Sequence, residues 1–257
     1  MMKFFIFNWK GIVGALVVAG LCFSILRFSN PIFFLSSIVL WIAVVALLFR
    51  SRLSDSSMWW NFGLLILVYI ATLLLMSLTE WIPVTRVIIL LAAVSIGSFV
   101  AIIESEHEET PVYIKKAFRR IFVMGWVFVC GAFLITTYAI SVFFPNIPVW
   151  LLFLSVGVYT SIISYAVWRM YYPISIRRFS LWLLIMAVMN MEIFWAVHLL
   201  PFGYIVLGFI ATWIWYMILL FIRFHMSVEG VRWKEQIRFL IGNGILFVLL
   251  LFVIRWI

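Results

Sequence analysis

One acidic residue, Glu192, lies inside the apolar segment 189–203, and it is the strongest candidate for chemistry in this sequence. A carboxylate at membrane depth can carry a proton or a cation along a translocation pathway. It can also be the acid of a ligand pocket that opens outward beside Glu80, Trp81, His198 and the turn at 201–204. The structural alternative is a buried ion pair that determines how helices pack. All three hypotheses place Glu192 on a transmembrane helix.

The nearest titratable side chain, His198, is a poor partner for Glu192. Six residues of helix turn through about 600°, which leaves the two side chains about 120° apart and about 9 Å apart along the axis. Asn190 also points elsewhere and is expected to bond to another helix. Partners of Glu192 are therefore expected from other helices, and an ionised Glu192 is expected to face the bundle interior or a wet cavity. The candidates are Arg86, Arg255, Tyr69, Tyr138 and Tyr159.

Composition shows which elements must hold these residues. The 257 residues are 67% hydrophobic and only 11% charged, which is too apolar for a soluble globule. The apolar residues form runs long enough to cross a bilayer as helices, and they lack the alternation of barrel strands. The chain is therefore predicted to be an all-α integral membrane protein with about nine transmembrane helices. The predicted spans are 11–26, 31–49, 59–79, 84–103, 121–143, 149–168, 180–200, 202–222 and 239–256.

Basic residues predict the orientation, because Lys and Arg stay preferentially on the cytoplasmic side of short loops. A cytoplasmic N-terminus puts all but three of the 18 Lys and Arg residues inside, leaving Arg27, Arg86 and Arg255 outside together with the C-terminus. The net charge of +9 then indicates anionic inner-leaflet lipid rather than nucleic acid as the partner. The residues expected to contact that lipid are Lys115, Lys116, Arg119, Arg120, Arg177, Arg178, Arg232, Trp233 and Lys234.

The predicted spans form four outward-tipped hairpins and a C-terminal helix, with proline in each outer turn. They make one polytopic domain, 1–257, with inner loops at 104–120 and 223–238 and no soluble domain. Small residues repeat every fourth position at Gly11, Ala15 and Ala19 and at Ala93, Gly97 and Ala101, which predicts two helices packed closely in the interior. Gly242, Asn243 and Gly244 could unwind the last helix, although a polar packing contact is favoured.

Motifs of membrane enzymes are missing, so the sequence leans against catalysis. It contains neither a Gly-x-Ser-x-Gly turn nor a His-Glu-x-x-His helix. Cys22 and Cys130 are isolated within helices, and the acidic run 104–109 lacks the ligand spacing of a calcium loop, so no metal or cofactor is expected. The favoured hypothesis is a non-catalytic protein that organises or binds other membrane proteins. The alternatives are a transporter or permease for a small or lipid-like solute that uses Glu192, and a membrane-embedded enzyme acting on lipid.

The passage from Glu192 to Trp195, followed by Leu200 to Gly203, resembles multi-pass bacterial inner-membrane proteins of unknown function. The resemblance covers about the last third of the chain. It implies a location in the bacterial plasma (inner) membrane and assigns no catalytic residue.

Overall fold

The computed structural model describes residues 9–28, 30–52, 58–105, 111–172, 176–226 and 233–253. Regular structure in these residues is helical, with no strand, which confirms the predicted all-α membrane class. Eight of the nine helices described are long and apolar enough to cross a bilayer, and the described side chains of α9 include the apolar stretch Leu240–Leu249. The helices are α1 Trp9–Arg27, α2 Pro31–Leu48, α3 Trp59–Ser77, α4 Ile82–Ser105, α5 Val112–Phe143, α6 Val149–Arg169, α7 Ile176–His198, α8 Tyr204–His225 and α9 Trp233–Val253.

Proline and local capping determine where several helices begin. Pro31 is the first residue of α2, and the side chain of Asn30 before it accepts a 3.0 Å hydrogen bond from the backbone N–H of Ile32. Pro83 is in the first turn of α4, and Pro148 precedes α6. Proline suits these positions because its fixed φ matches the helix and the first turn does not need its missing N–H. The predicted turns at these points are therefore helix starts.

Both predicted inner loops are shorter than expected. Residues 104–105 end α4, and residues 112–120 begin α5. Of the predicted loop 104–120, only Pro111 is described and non-helical, and 106–110 lie outside the described residues. Residues 223–225 likewise belong to α8, and α9 begins at Trp233. Lys, Arg, Glu and Ala are good helix formers, so a helix can continue past the end of its apolar segment. The charged residues were predicted to lie in loops, but most of those described are in helices.

The chain divides into two compact units, Met1–Thr136 and Thr137–Ile257, with the division inside α5. In the first unit α1 packs closely against α4 through the predicted small residues. A Cβ at Gly97 would be 2.9 Å from the Cβ of Ala15 and 2.9 Å from the carbonyl oxygen of Gly11. Gly11, Ala93, Gly97 and Ala101 are buried, and Ala15 and Ala19 are half-buried. The predicted close packing of these faces is confirmed, and the structure adds that the two faces meet each other. The predicted interior position is wrong for α1, whose other face is exposed.

Polar contacts tie the end of α4 to the start of α1 and to Arg52. The Lys10 ammonium lies 2.8 Å from Oε1 of Glu104. Arg52, in the 3-10 turn after α2, donates to the carbonyl oxygen of Ile103 at 2.8 Å and lies 3.4 Å from that of Glu104. The last carbonyls of a helix have no partner within it, so Arg52 supplies one for the end of α4.

The interior of the first unit contains aromatic rings and two thiols among its aliphatic side chains. Trp41 is fully buried and donates from Nε1 to the carbonyl oxygen of Leu65 at 3.2 Å, which ties α2 to α3. Its ring lies 5.7 Å from that of Tyr69. Cys22 and Cys130 are free and fully buried, as their interpretation as small hydrophobic core residues predicts.

In the second unit α6 packs against α7 and α8 through close contacts and indole hydrogen bonds. A Cβ at Gly157 would be 2.9 Å from the sulfur of Met191, so α6 and α7 approach closely there. Trp168 of α6 donates to the carbonyl oxygen of Leu219 at 3.4 Å, and Trp215 of α8 donates to the hydroxyl of Ser164 at 3.1 Å. These reciprocal bonds fix α8 against α6, because a buried indole N–H needs an acceptor.

Candidate functional site

Glu192 lies on an exposed face of α7. Its neighbours on that face follow helical spacing and are apolar, and all of them are exposed. They are Leu181, Leu184, Val188, Trp195 and Leu199. Glu192 therefore does not face the interior of the helix bundle, since α7 buries its opposite side, and the other expected surroundings of an ionised Glu192, a wet cavity, stay a prediction. The carboxylate interrupts a surface that otherwise suits lipid or another apolar helix.

The depth of Glu192 makes this exposure unusual. The apolar part of α7 is Phe179–His198, and Glu192 lies 13 residues along it. At about 1.5 Å per residue that is roughly 20 Å into a hydrocarbon layer of about 30 Å. An ionised carboxylate facing lipid at this depth costs several kcal/mol, on the order of 3 on insertion scales. Glu192 therefore needs a proton, water or a cationic partner.

Asn190 takes the buried position that was predicted for Glu192. It is 3% exposed, and its side-chain amide donates to the carbonyl oxygen of Met186 at 2.7 Å. The prediction that Asn190 bonds across to another helix is not met by this contact, because the acceptor lies one turn back on α7. A short amide side chain reaches the carbonyl four residues earlier, so it can satisfy a donor without a neighbouring helix.

His198 belongs to an aromatic stack on the packed side of α7. Tyr138 of α5 stacks on Phe194 with ring centroids 4.3 Å apart, and the imidazole of His198 lies 6.3 Å from each ring. The Tyr138 hydroxyl donates to the carbonyl oxygen of Phe194 at 3.0 Å. Nδ1 of His198 is buried and has no hydrogen-bond partner among the described residues. His198 and Glu192 thus point in different directions, which confirms that they do not form a pair.

The remaining candidates near the outer turns are divided between the two units. Glu80 and Trp81 are exposed in the connection between α3 and α4, and Arg86 is exposed on α4, all in the first unit. His198 and the turn at 201–204 are in the second. Neither unit by itself assembles the predicted outward ligand pocket. Arg255 lies outside the described residues.

Asn243 holds α9 against α8. Its side-chain oxygen accepts a 3.0 Å hydrogen bond from Nε1 of Trp213, and Phe247 one turn later meets the same indole edge-on at 6.2 Å. α9 is continuous through Gly242 and Gly244, so the possible unwinding does not occur and the favoured polar packing contact is confirmed.

The predicted lipid-contact residues are on helix ends wherever they are described. Lys115, Lys116 and Arg120 are exposed in the first turns of α5, Arg119 is half-buried beside them, and Arg177 is exposed at the start of α7. Three more of them are in helices, but their side chains lie outside the described part: Arg178, Trp233 and Lys234. Arg232 lies outside the described residues.

The described residues hold no group of three or more His, Cys, Asp or Glu side chains that could bind a metal ion. No family model, curated protein or solved structure matches this chain.

Sequence reasoning missed two side-chain arrangements. Tyr138 was considered only as a partner of Glu192, and its contact with Phe194 and His198 had no local signal because 56 residues separate Tyr138 from Phe194. Phe194 and His198 are four residues apart on one helix, which was a usable signal. Arg223 contributed only to the predicted membrane orientation. Tyr172, which contacts it, lies 51 residues earlier in the chain, so no local pattern could indicate the contact.

Proposed function

We propose that this protein is a non-catalytic membrane interaction protein, whose exposed α7 face binds a transmembrane helix of another membrane protein. The observation that supports the proposal is the exposure of Glu192 in the middle of an apolar face. Single exposed apolar residues need no explanation in a membrane, because lipid covers them. A carboxylate at that depth does need one.

Charge complementarity indicates the chemistry of the partner. A helix that presents Lys, Arg or protonated His at the matching depth would pair with the Glu192 carboxylate. The apolar residues on both sides of Glu192, such as Val188 and Trp195, would pack against the same helix. Removing one member of such a desolvated pair is costly, about 3–5 kcal/mol, because the remaining charge is left buried. An interaction of this kind is therefore specific for a partner with a basic residue.

The exposed position of Glu192 favours interaction over transport through the second unit. A pathway among those helices needs its proton- or cation-carrying group to line their interior. The polar group on the packed side of α7 is Asn190, and its amide is bonded to its own helix. Loss of solute flux in proteoliposomes on Glu192→Gln would nevertheless favour the transport hypothesis. Altered lipid products on deletion of the protein would favour the enzyme.

Site-specific photo-crosslinking tests the proposal in native membranes. A photoreactive amino acid replaces Val188 on the α7 face, and in a matched control it replaces Val158, an exposed valine on α6. We expect a discrete crosslinked protein from position 188 only. Its crosslinked peptide should be a membrane helix with a basic residue. The crosslink should be lost in Glu192→Leu, and exchanging the two charges through Glu192→Lys and the reciprocal change in the partner should restore it.

Three results would overturn this proposal. Equal capture from positions 158 and 188 would show that the contact is not specific to α7. A crosslink that persists unchanged in Glu192→Leu would remove the carboxylate from the interaction. Capture of a second copy of this chain would replace the basic partner with self-association.

A further inference from the structure

We infer that Arg223, held by aromatic rings at the end of α8, binds the phosphate of an anionic phospholipid headgroup. The guanidinium carbon lies 4.5 Å from the ring centroid of Tyr171 and 4.8 Å from that of Phe224. These contacts hold the cation at a place where no carboxylate of the described residues is paired with it. The inference does not depend on the proposed role of Glu192.

The backbone around Arg223 is also fixed. Tyr172 donates from its hydroxyl to the carbonyl oxygen of Arg223 at 2.8 Å. Tyr171 and Tyr172 are in the turn that ends α6, where both backbone N–H groups donate to the carbonyl oxygen of Trp168 at 2.9 and 3.0 Å. Two consecutive tyrosines therefore connect the end of α6 to the end of α8. One contacts the side chain of Arg223 and the other its main chain.

The donors of Arg223 are available for a ligand. A guanidinium has five N–H donors in a planar fork. In the described part of the chain, its contacts are ring faces, and we find no hydrogen bond from these donors to a protein acceptor. The N–H donors are therefore left for the paired hydrogen bonds that arginine forms to phosphate. Arg223 is half-buried, so it is partly shielded from water, which strengthens such bonds.

The position of Arg223 indicates a lipid as the source of the phosphate. α8 is long and apolar enough to cross a bilayer, and Arg223 is in its last turn. The end of a spanning helix lies at the level of the headgroups, where phosphate is abundant and where Tyr and Trp are enriched. Trp182 of α7 lies at this end as well, with its ring 5.3 Å from that of His225. These rings are at the depth where a headgroup meets its acyl chains.

A net negative lipid is favoured over a zwitterionic one. The adjoining ends of α6 and α7 carry the exposed residues Arg169 and Arg177. Positive charge at three helix ends attracts an anionic headgroup and repels the ammonium group of a choline lipid. The expected ligand class is therefore phosphatidylglycerol or another anionic phospholipid.

Native mass spectrometry of the full-length, delipidated protein in neutral detergent tests the site. The probes are phosphatidylglycerol and phosphatidylcholine with the same acyl chains. The variants are Arg223→Gln, Arg223→Lys and the control Arg27→Gln, which removes an equal charge from an exposed arginine at the end of α1. We expect one phosphatidylglycerol to bind the wild type. Its affinity should fall about tenfold in Arg223→Gln, the size of a lost charge-assisted hydrogen bond. Arg223→Lys should lose most of the same affinity because an ammonium lacks the planar fork.

A further variant covers the case in which Arg223 substitutions unfold the protein. Tyr171→Leu keeps the charge and removes one ring face, and it should weaken phosphatidylglycerol binding about threefold, in line with the modest energy of an exposed cation–π contact. In Arg27→Gln the affinity for phosphatidylglycerol should change less than twofold, and in Arg223→Gln the affinity for phosphatidylcholine should change less than twofold. An equal loss of phosphatidylglycerol affinity in Arg27→Gln and Arg223→Gln would overturn the site, as would equal binding of the two lipids. Displacement of the lipid by equimolar inorganic phosphate would overturn the lipid assignment in favour of a soluble anion.

Discussion

Gly11 of α1 lies so close to Gly97 of α4 that a Cβ added to Gly11 would be 2.8 Å from the carbonyl oxygen of Gly97. The contact is between backbones, so neither helix can yield by rotating a side chain. Lipid tails are as apolar as core residues, and close packing of this kind replaces the hydrophobic effect as the force between membrane helices. The packing of α1 against α4 therefore requires glycine at both positions, because a side chain at either one would clash with the other helix.

A methyl group at this contact should destabilise the first unit. We expect Gly11→Ala to lower its stability by about 1–3 kcal/mol, the usual cost of an overpacked interior. Gly20→Ala is the matched control on the same helix, because a Cβ there meets nothing within 4 Å. It should be neutral or stabilising by up to about 1 kcal/mol through helix propensity. The buried thiols Cys22 and Cys130 report the result, through the temperature at which they react with a thiol-specific fluorophore. Equal melting temperatures for the two variants would contradict the prediction.

The hydroxyl of Tyr138 should contribute measurably to the second unit. Tyr138→Phe keeps the stack on Phe194 but removes the 3.0 Å hydrogen bond to its carbonyl oxygen. We expect a loss of about 1 kcal/mol, typical of one hydrogen bond. Thermal unfolding followed by circular dichroism in detergent measures it. Tyr113→Phe, at an exposed position of α5, should leave the transition unchanged, and a shift as large as that of Tyr138→Phe would argue against a specific bond.

Loss of the bond between Trp213 and Asn243 should loosen α9. Asn243→Leu removes the acceptor of the indole N–H, and Trp213→Phe removes the donor. Either change should speed hydrogen exchange in α9 more than in α6. Because both variants break the same contact, α9 of the double variant should exchange little faster than α9 of either single variant. Additive effects would indicate that the two side chains hold α9 independently.

The ion pair between Lys10 and Glu104 should be weak. The two side chains are 18% and 28% exposed, so water screens their attraction. A double-mutant cycle with Lys10→Met and Glu104→Gln should give a coupling below about 1 kcal/mol that shrinks in high salt. The thiol-reactivity assay of the first unit supplies the four stabilities. A coupling above about 2 kcal/mol would mean that the pair is more desolvated than its exposure indicates.

Replacing Glu192 should leave the isolated protein folded. Glu192→Gln changes an exposed side chain, so we expect the free energy of unfolding to change by less than about 0.5 kcal/mol. A buried ion pair within the chain, which was the structural hypothesis, would instead lose about 3–5 kcal/mol when one partner is removed. Thermal unfolding of the detergent-solubilised protein at neutral pH distinguishes the two outcomes.

The sequence alone determined the elements of this protein. Long apolar runs predicted the spanning helices because backbone groups in hydrocarbon must bond within their own segment. Small residues at every fourth position predicted close packing at Gly11 and Gly97, since that spacing keeps them on one face. The inner loops were predicted too long because charge shows where the membrane ends, and a helix of Lys and Arg can continue beyond it.

Only the tertiary structure decided which face of each helix is covered. Asn190 and Glu192 are about 160° apart on α7, so the sequence separated them but could not say which one is buried. In a soluble protein the apolar stripe would answer that question. On α7 both faces are apolar, because lipid and protein interior accept the same side chains, and the choice depends on neighbouring helices. The aromatic contacts of Arg223 were hidden for a related reason, since Tyr171 and Tyr172 are brought to it by the packing of α6 against α8.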